Sequence, residues 1–73
     1  MTNLELLKYF SEVARRQVLM PDWPLGKLYA SVLDEQHPDL ATQIRGDVDL
    51  DPYLHDDNIS EFTVWMLGKG HNG

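Results

Sequence analysis

The chain has 73 residues, no cysteine, and twelve acidic against six basic side chains, for a formal charge of −6. That length makes one small domain, and the absence of cysteine excludes a disulfide framework and any thiolate metal site. A hydrophobic fraction of 42%, with two Trp, two Phe and three Tyr, is that of a folded chain rather than a disordered one.

The first element is "TNLELLKYFSEVARRQ". Thr2 and Glu5 have capping-box spacing, in which each side chain satisfies a free backbone N–H of the first turn. At 100° per residue Leu6, Leu7, Phe10, Val13 and Ala14 share one arc, with Glu5, Lys8, Glu12, Arg15 and Arg16 opposite. Glu12 pairs favourably with Arg15 and Arg16 at i,i+3 and i,i+4. "VLMPDWP" then breaks the helix, because each proline forces the residue before it into an extended conformation.

The second helix is expected from Pro24 to about Gln36, with Asp22 where a capping carboxylate would stand. Leu25, Leu28, Tyr29, Val32 and Leu33 make its inner face, and Gly26 lies on the other. "HP" at 37–38 ends it. "PDLATQIRG" reads as a short third helix: Pro38 opens it, Asp39 favours its positive end, and Gly46 fits the left-handed position after its end. Leu40, Ala41 and Ile44 form its apolar stripe.

"DVDLDPYLHDD" follows without helical or strand period, and Tyr53 and Leu54 are expected to tuck against the core as a small anchor. The last helix starts at "NISE", where Asn58 and Glu61 repeat the capping-box spacing. Its residues Ile59, Phe62, Thr63, Trp65, Met66 and Leu67 cover most of its circumference, as in a central helix or one that exposes apolar surface to a partner. The fold class is therefore all-α: three or four short helices over residues 1–68, packed around Phe10, Leu28, Val32, Ile44, Phe62 and Trp65. Residues 69–73 are expected to form a disordered tail.

Several chemistries can be weighed on their parts. Asp47, Asp49 and Asp51 have the spacing that opens a calcium loop, but Pro52 and Asn58 stand where that loop needs Gly and a bidentate Glu. "RGD" at 45–47 matches an adhesion tripeptide, yet Gly46 is explained as a helix stop. His37, His55 and His71 are too scattered for a metal box. His55 beside Asp56 and Asp57 has no accompanying nucleophile or oxyanion motif, and no Gly-rich phosphate loop occurs. No enzymatic activity, cofactor or metal is expected. No apolar run approaches the roughly 20 residues of a membrane span. The N-terminus lacks a basic-then-apolar signal pattern, so a cytoplasmic protein is expected.

Charge is unevenly placed. Residues 1–45 carry six acidic and five basic side chains, whereas residues 46–73 carry six acidic and one basic. An acidic half repels phosphate backbones, so direct nucleic-acid binding is not expected, and a protein partner with a basic surface is. Asp47, Asp49, Asp56 and Asp57 are the candidate steering charges, and Tyr53 and Trp23 the candidate contact residues, since aromatic side chains anchor interfaces.

"LGKLYASVLDEQHPDLATQIRGDVDLDPYL", followed by a helix with Ile, Phe and Trp, resembles a pattern of small uncharacterised phage and bacterial proteins. It is carried by Gly26, Pro38, Asp39, Leu40, Ala41, Ile44, Arg45, Gly46, Asp51, Pro52 and Tyr53, over roughly half the chain. This chain departs from the pattern in having Lys27 after Gly26 where members often have Gln, and Tyr53 where they often have Phe. The resemblance implies an origin and brings no catalytic residue. In size, acidity and helical plan the chain is also similar to phage proteins that bind and redirect host enzymes, including bacterial RNA polymerase. The expectation is a monomeric, non-enzymatic protein-binding regulator of that type. The alternative is an acidic decoy whose carboxylates replace phosphates in the site of a nucleic-acid enzyme.

Overall fold

The computed structural model describes residues 1–71. Its elements in order are α1 (Asn3–Leu19), α2 (Leu25–Gln36), α3 (Pro38–Ile44), a single 3-10 turn (Asp56–Asn58) and α4 (Ile59–His71). No strand occurs among the described residues. The fold is a small all-α bundle. Its Cα radius of gyration, 11.3 Å, matches the roughly 11 Å of one compact domain of this length. The expected 69–73 tail begins inside α4, which continues to His71, and residues 72–73 lie outside the described residues.

The capping box at α1 is complete. The Glu5 N–H donates to the Thr2 hydroxyl at 3.1 Å, and the Thr2 N–H donates back to the Glu5 carboxylate at 3.3 Å. The helix stops at Met20, whose N–H donates to the Arg16 carbonyl at 2.7 Å, just before Pro21. Its buried face is Leu6, Tyr9 and Val13, rotated by about 60° from the face expected from hydrophobicity. Leu7 is 64% exposed and Ala14 is exposed, while Phe10 is half-buried. Tyr9 takes the central place because its hydroxyl is satisfied inside the bundle. It donates to the Tyr29 carbonyl at 2.6 Å, and its ring meets Phe10, Tyr29 and Phe62 edge-on. Burial and the neighbouring Tyr29 push the Tyr9 phenol well above its ordinary pKa.

Helix α2 supplies Leu28, Val32 and Leu33 to the core, α3 supplies Leu40, Ala41 and Ile44, and α4 supplies Phe62 and Met66. Trp65 is half-buried and stacks on Phe62 at 6.2 Å between ring centroids, at the core's edge rather than inside it. Val64 and Leu67 of α4 are exposed, so α4 flanks the core and leaves part of its apolar surface uncovered. Ion pairs tie the helices at the rim. Arg16 bridges Glu12 of its own helix and Glu35 of α2, and Arg45 reaches Asp34 at 2.9 Å. His37 closes α2, donating its N–H to the Leu33 carbonyl at 2.8 Å, and Pro38 opens α3 at once. Gly46 follows with φ +80°, the left-handed stop expected of it.

Candidate functional site

The acidic stretch between α3 and α4 is a built loop, and three of its aspartates hold it together. Asp47 Oδ1 accepts from the N–H groups of Asp49 and Leu50, at 2.9 and 3.2 Å. Asp51 is buried at 7% exposure, and its two oxygens accept from the Gly46 and Tyr53 N–H groups, each at 3.0 Å. Asp56 Oδ1 accepts from the Gly26 N–H at 2.9 Å. That last bond caps α2 in place of the expected Asp22; α2 has no side-chain cap of its own at Pro24. Asn58 does not form the expected box with Glu61. Its side-chain amide instead donates to the carbonyls of Val48 and Asp51, at 2.9 and 3.0 Å, which sews the loop to the start of α4.

Gly26 makes this loop fit. It is buried, not outward-facing, and a Cβ there would lie 2.0 Å from the Pro52 carbonyl oxygen. The loop therefore packs directly on the backbone of the first turn of α2. Pro52 is fully buried, whereas Tyr53 and Leu54, the expected core anchors, are 57% and 42% exposed. Proline occupies the anchoring place because it has no N–H to leave unpaired in the interior.

Outward turning puts Tyr53 between two grooves. One, of about 410 Å³, runs between α2, α3 and the loop, with Leu33, Ala41, Ile44 and Leu54 among its walls. The other, of about 420 Å³, is lined by Trp23, Pro24, Lys27, Ser31 and Tyr53. Trp23 is 51% exposed, and the Lys27 ammonium lies 5.4 Å from the Tyr53 ring centroid, a cation–π contact. The two aromatic candidates thus share one groove. The acidic candidates divide: Asp47 and Asp56 are structural acceptors, while Asp49 and Asp57 are exposed and, among the described residues, have no side-chain hydrogen bond.

Among the described residues no group of three or more His, Cys, Asp or Glu is placed to hold a metal ion. Of the three aspartates with calcium-loop spacing, Asp47 and Asp51 already receive backbone N–H donors. His55 is exposed, and His37 lies 3.9 Å from Glu5 at the α1 rim, far from His55 in sequence. No helix of the described residues is long and apolar enough to cross a membrane. Sequence reasoning missed the α2–α3 groove altogether. Its only local trace is the pair of alanines, Ala30 and Ala41, whose small side chains leave its walls apart. Comparisons with protein-family models, with curated proteins and with solved structures give no match.

Proposed function

We propose that this chain is a non-enzymatic, protein-binding regulator whose contact surface is the Tyr53 ridge and its two grooves. In its specific form the proposal is a phage-type protein acting on a host machine with a basic surface, such as bacterial RNA polymerase. The observation that carries it is the sharing of one groove by Trp23 and Tyr53, both about half exposed, on a domain of only 73 residues. Exposed aromatic side chains beside concave apolar surface are the usual composition of an interface centre. The charges of Asp49 and Asp57 then raise the rate of encounter with a basic surface rather than provide the lasting contact.

The decoy reading is weaker on the same geometry. A phosphate mimic needs a row of carboxylates free to meet cations, and Asp47 and Asp56 are engaged with backbone N–H groups of the chain itself, leaving only Asp49 and Asp57 exposed without a side-chain hydrogen bond among the described residues. The test is affinity capture from a bacterial lysate with the wild-type chain and with Tyr53→Ala, each washed at low and at high salt. The reading expects a partner retained at high salt by the wild type and lost by the variant. A partner lost equally by both at high salt would support the decoy instead.

A further inference from the structure

The α2–α3 groove is walled by aliphatic side chains yet has a carboxylate in its lining. Leu33, Ala41, Ile44 and Leu54 make the apolar walls, Tyr53 stands at one side, and Asp51 contributes the charge. The other two charged residues of the lining, Asp34 and Arg45, neutralise one another at 2.9 Å. Asp51 has no such partner. Its oxygens each take one backbone N–H, and no cationic side chain pairs with it among the described residues. A carboxylate oxygen has two lone pairs, so each retains accepting capacity. The groove as a whole carries one uncompensated negative charge, on a chain whose net charge is −6.

We propose that this groove receives an arginine side chain of the protein partner, its aliphatic stem along Leu33 and Ile44 and its guanidinium directed to Asp51 beside the Tyr53 ring. The charge of the groove argues for a cation, and the aliphatic walls argue for one on a hydrocarbon stem. Guanidinium suits the position better than ammonium, because it is less strongly hydrated, offers planar donors to a carboxylate and stacks on aromatic rings. Tyr53 already holds a cation in this chain, the Lys27 ammonium on the side of the second groove. The inference rests on the protein-binding reading and deepens it by naming the partner's inserted group.

The test uses the intact chain and side-chain mimics. n-Butylguanidinium, n-butylammonium and the neutral isostere n-butylurea are titrated while amide 1H–15N shifts are recorded. The expected result is saturable binding of n-butylguanidinium on the order of millimolar, as befits so small a ligand, with the largest shifts at Gly46, Tyr53 and Leu54. n-Butylurea should bind at least about tenfold more weakly, because it lacks the charge-assisted bond to Asp51. n-Butylammonium should fall between them. Asp51→Asn should abolish the preference for the cation. If that variant fails to fold, Ala30→Met, which narrows the groove and leaves Asp51 in place, should weaken n-butylguanidinium several-fold. Equal binding of urea and guanidinium would overturn the proposal and leave an apolar trough. Unsaturable shifts spread over Asp49 and Asp57 would overturn it as well. If the mimics fail while Tyr53→Ala still loses the captured partner, only this inference falls. If the mimics bind but no captured partner depends on Tyr53, the protein-binding reading falls and takes the partner's arginine with it, leaving only a guanidinium-binding groove.

Discussion

The backbone N–H of Gly26 donates to the Asp56 carboxylate at 2.9 Å, joining two residues 30 positions apart. This bond sets the loop against the first turn of α2, and the contact of Gly26 with the Pro52 carbonyl closes the gap between them. The position of Tyr53, one residue beyond Pro52, follows from that contact.

Gly26→Ala should therefore be costly. The added methyl would meet a backbone oxygen, which cannot swing aside as a flexible side chain can. A loss of about 3 kcal/mol or somewhat less is expected from overpacking, against a gain in helix propensity of up to about 1 kcal/mol. A Cβ added at Gly68, in α4, would meet nothing within 4 Å, so Gly68→Ala should stabilise by about 0.5–1 kcal/mol. Urea unfolding of the two variants checks both signs.

The core and the rotated face of α1 can be tested by contrast. Phe62→Ala should cost about 3–5 kcal/mol, since the ring is fully buried. Leu7→Gln, on the exposed side of α1, should change stability by under about 0.5 kcal/mol. Tyr9→Phe should be destabilising despite its modest change in shape, because the Tyr29 carbonyl loses a buried donor; about 1 kcal/mol is expected. Thermal or urea denaturation measures all three, and a large effect at Leu7 with none at Tyr9 would restore the face expected from hydrophobicity.

Acid should weaken the fold at two identifiable places, the arginine cluster around Glu12 and the capping box of α1. Hydrogen bonds from Arg15 and Arg16 hold the Glu12 carboxyl down at about 2, Arg16 lowers Glu35, and the Thr2 backbone N–H lowers Glu5. Each carboxyl is more acidic folded than unfolded, so its contribution is fully present above the unfolded value of 4.5. It is lost as pH falls below that value, for Glu12 down to about 2. Denaturant midpoints measured across that window should fall steadily, and Glu12→Gln should flatten the decline.

The aspartates of the loop should separate into two kinds. Asp56→Asn and Asp47→Asn remove charged acceptors of backbone N–H groups, so each should destabilise by about 1–2 kcal/mol. Asp49→Asn with Asp57→Asn should leave stability within about 0.5 kcal/mol. With a partner in hand, the second pair should lower the association rate and flatten its salt dependence. Replacing all four at once would confuse folding with steering.

Legibility in the sequence follows the range of the interaction that decides each feature. Helix α3 can be read because Pro38, Asp39 and Gly46 act within a turn of where they stand. The capping box at Thr2 and Glu5 is local in the same way. Hydrophobicity misplaces the face of α1 because Tyr9 counts as weakly apolar until a carbonyl 20 residues away satisfies its hydroxyl. Gly26, Asp56 and Asn58 have partners in distant segments, so their types alone suggest a weak helix residue, a steering charge and a cap. Trp23 and Tyr53 can be chosen by residue type. Their meeting in one groove depends on Pro52 holding the loop to α2, which no local pattern encodes.

The dissociation rate of the captured partner from Tyr53→Ala tests the central claim most directly, with the folded state of the variant verified by its amide spectrum. An aromatic anchor at the junction of two grooves contributes mainly to residence time. An anchor at Tyr53 predicts a dissociation rate raised by about tenfold or more, an association rate changed by less than about threefold, and a similar effect for Trp23→Ala. Dissociation rates unchanged in both variants, with binding intact, would contradict it and move the interface to another surface of the domain.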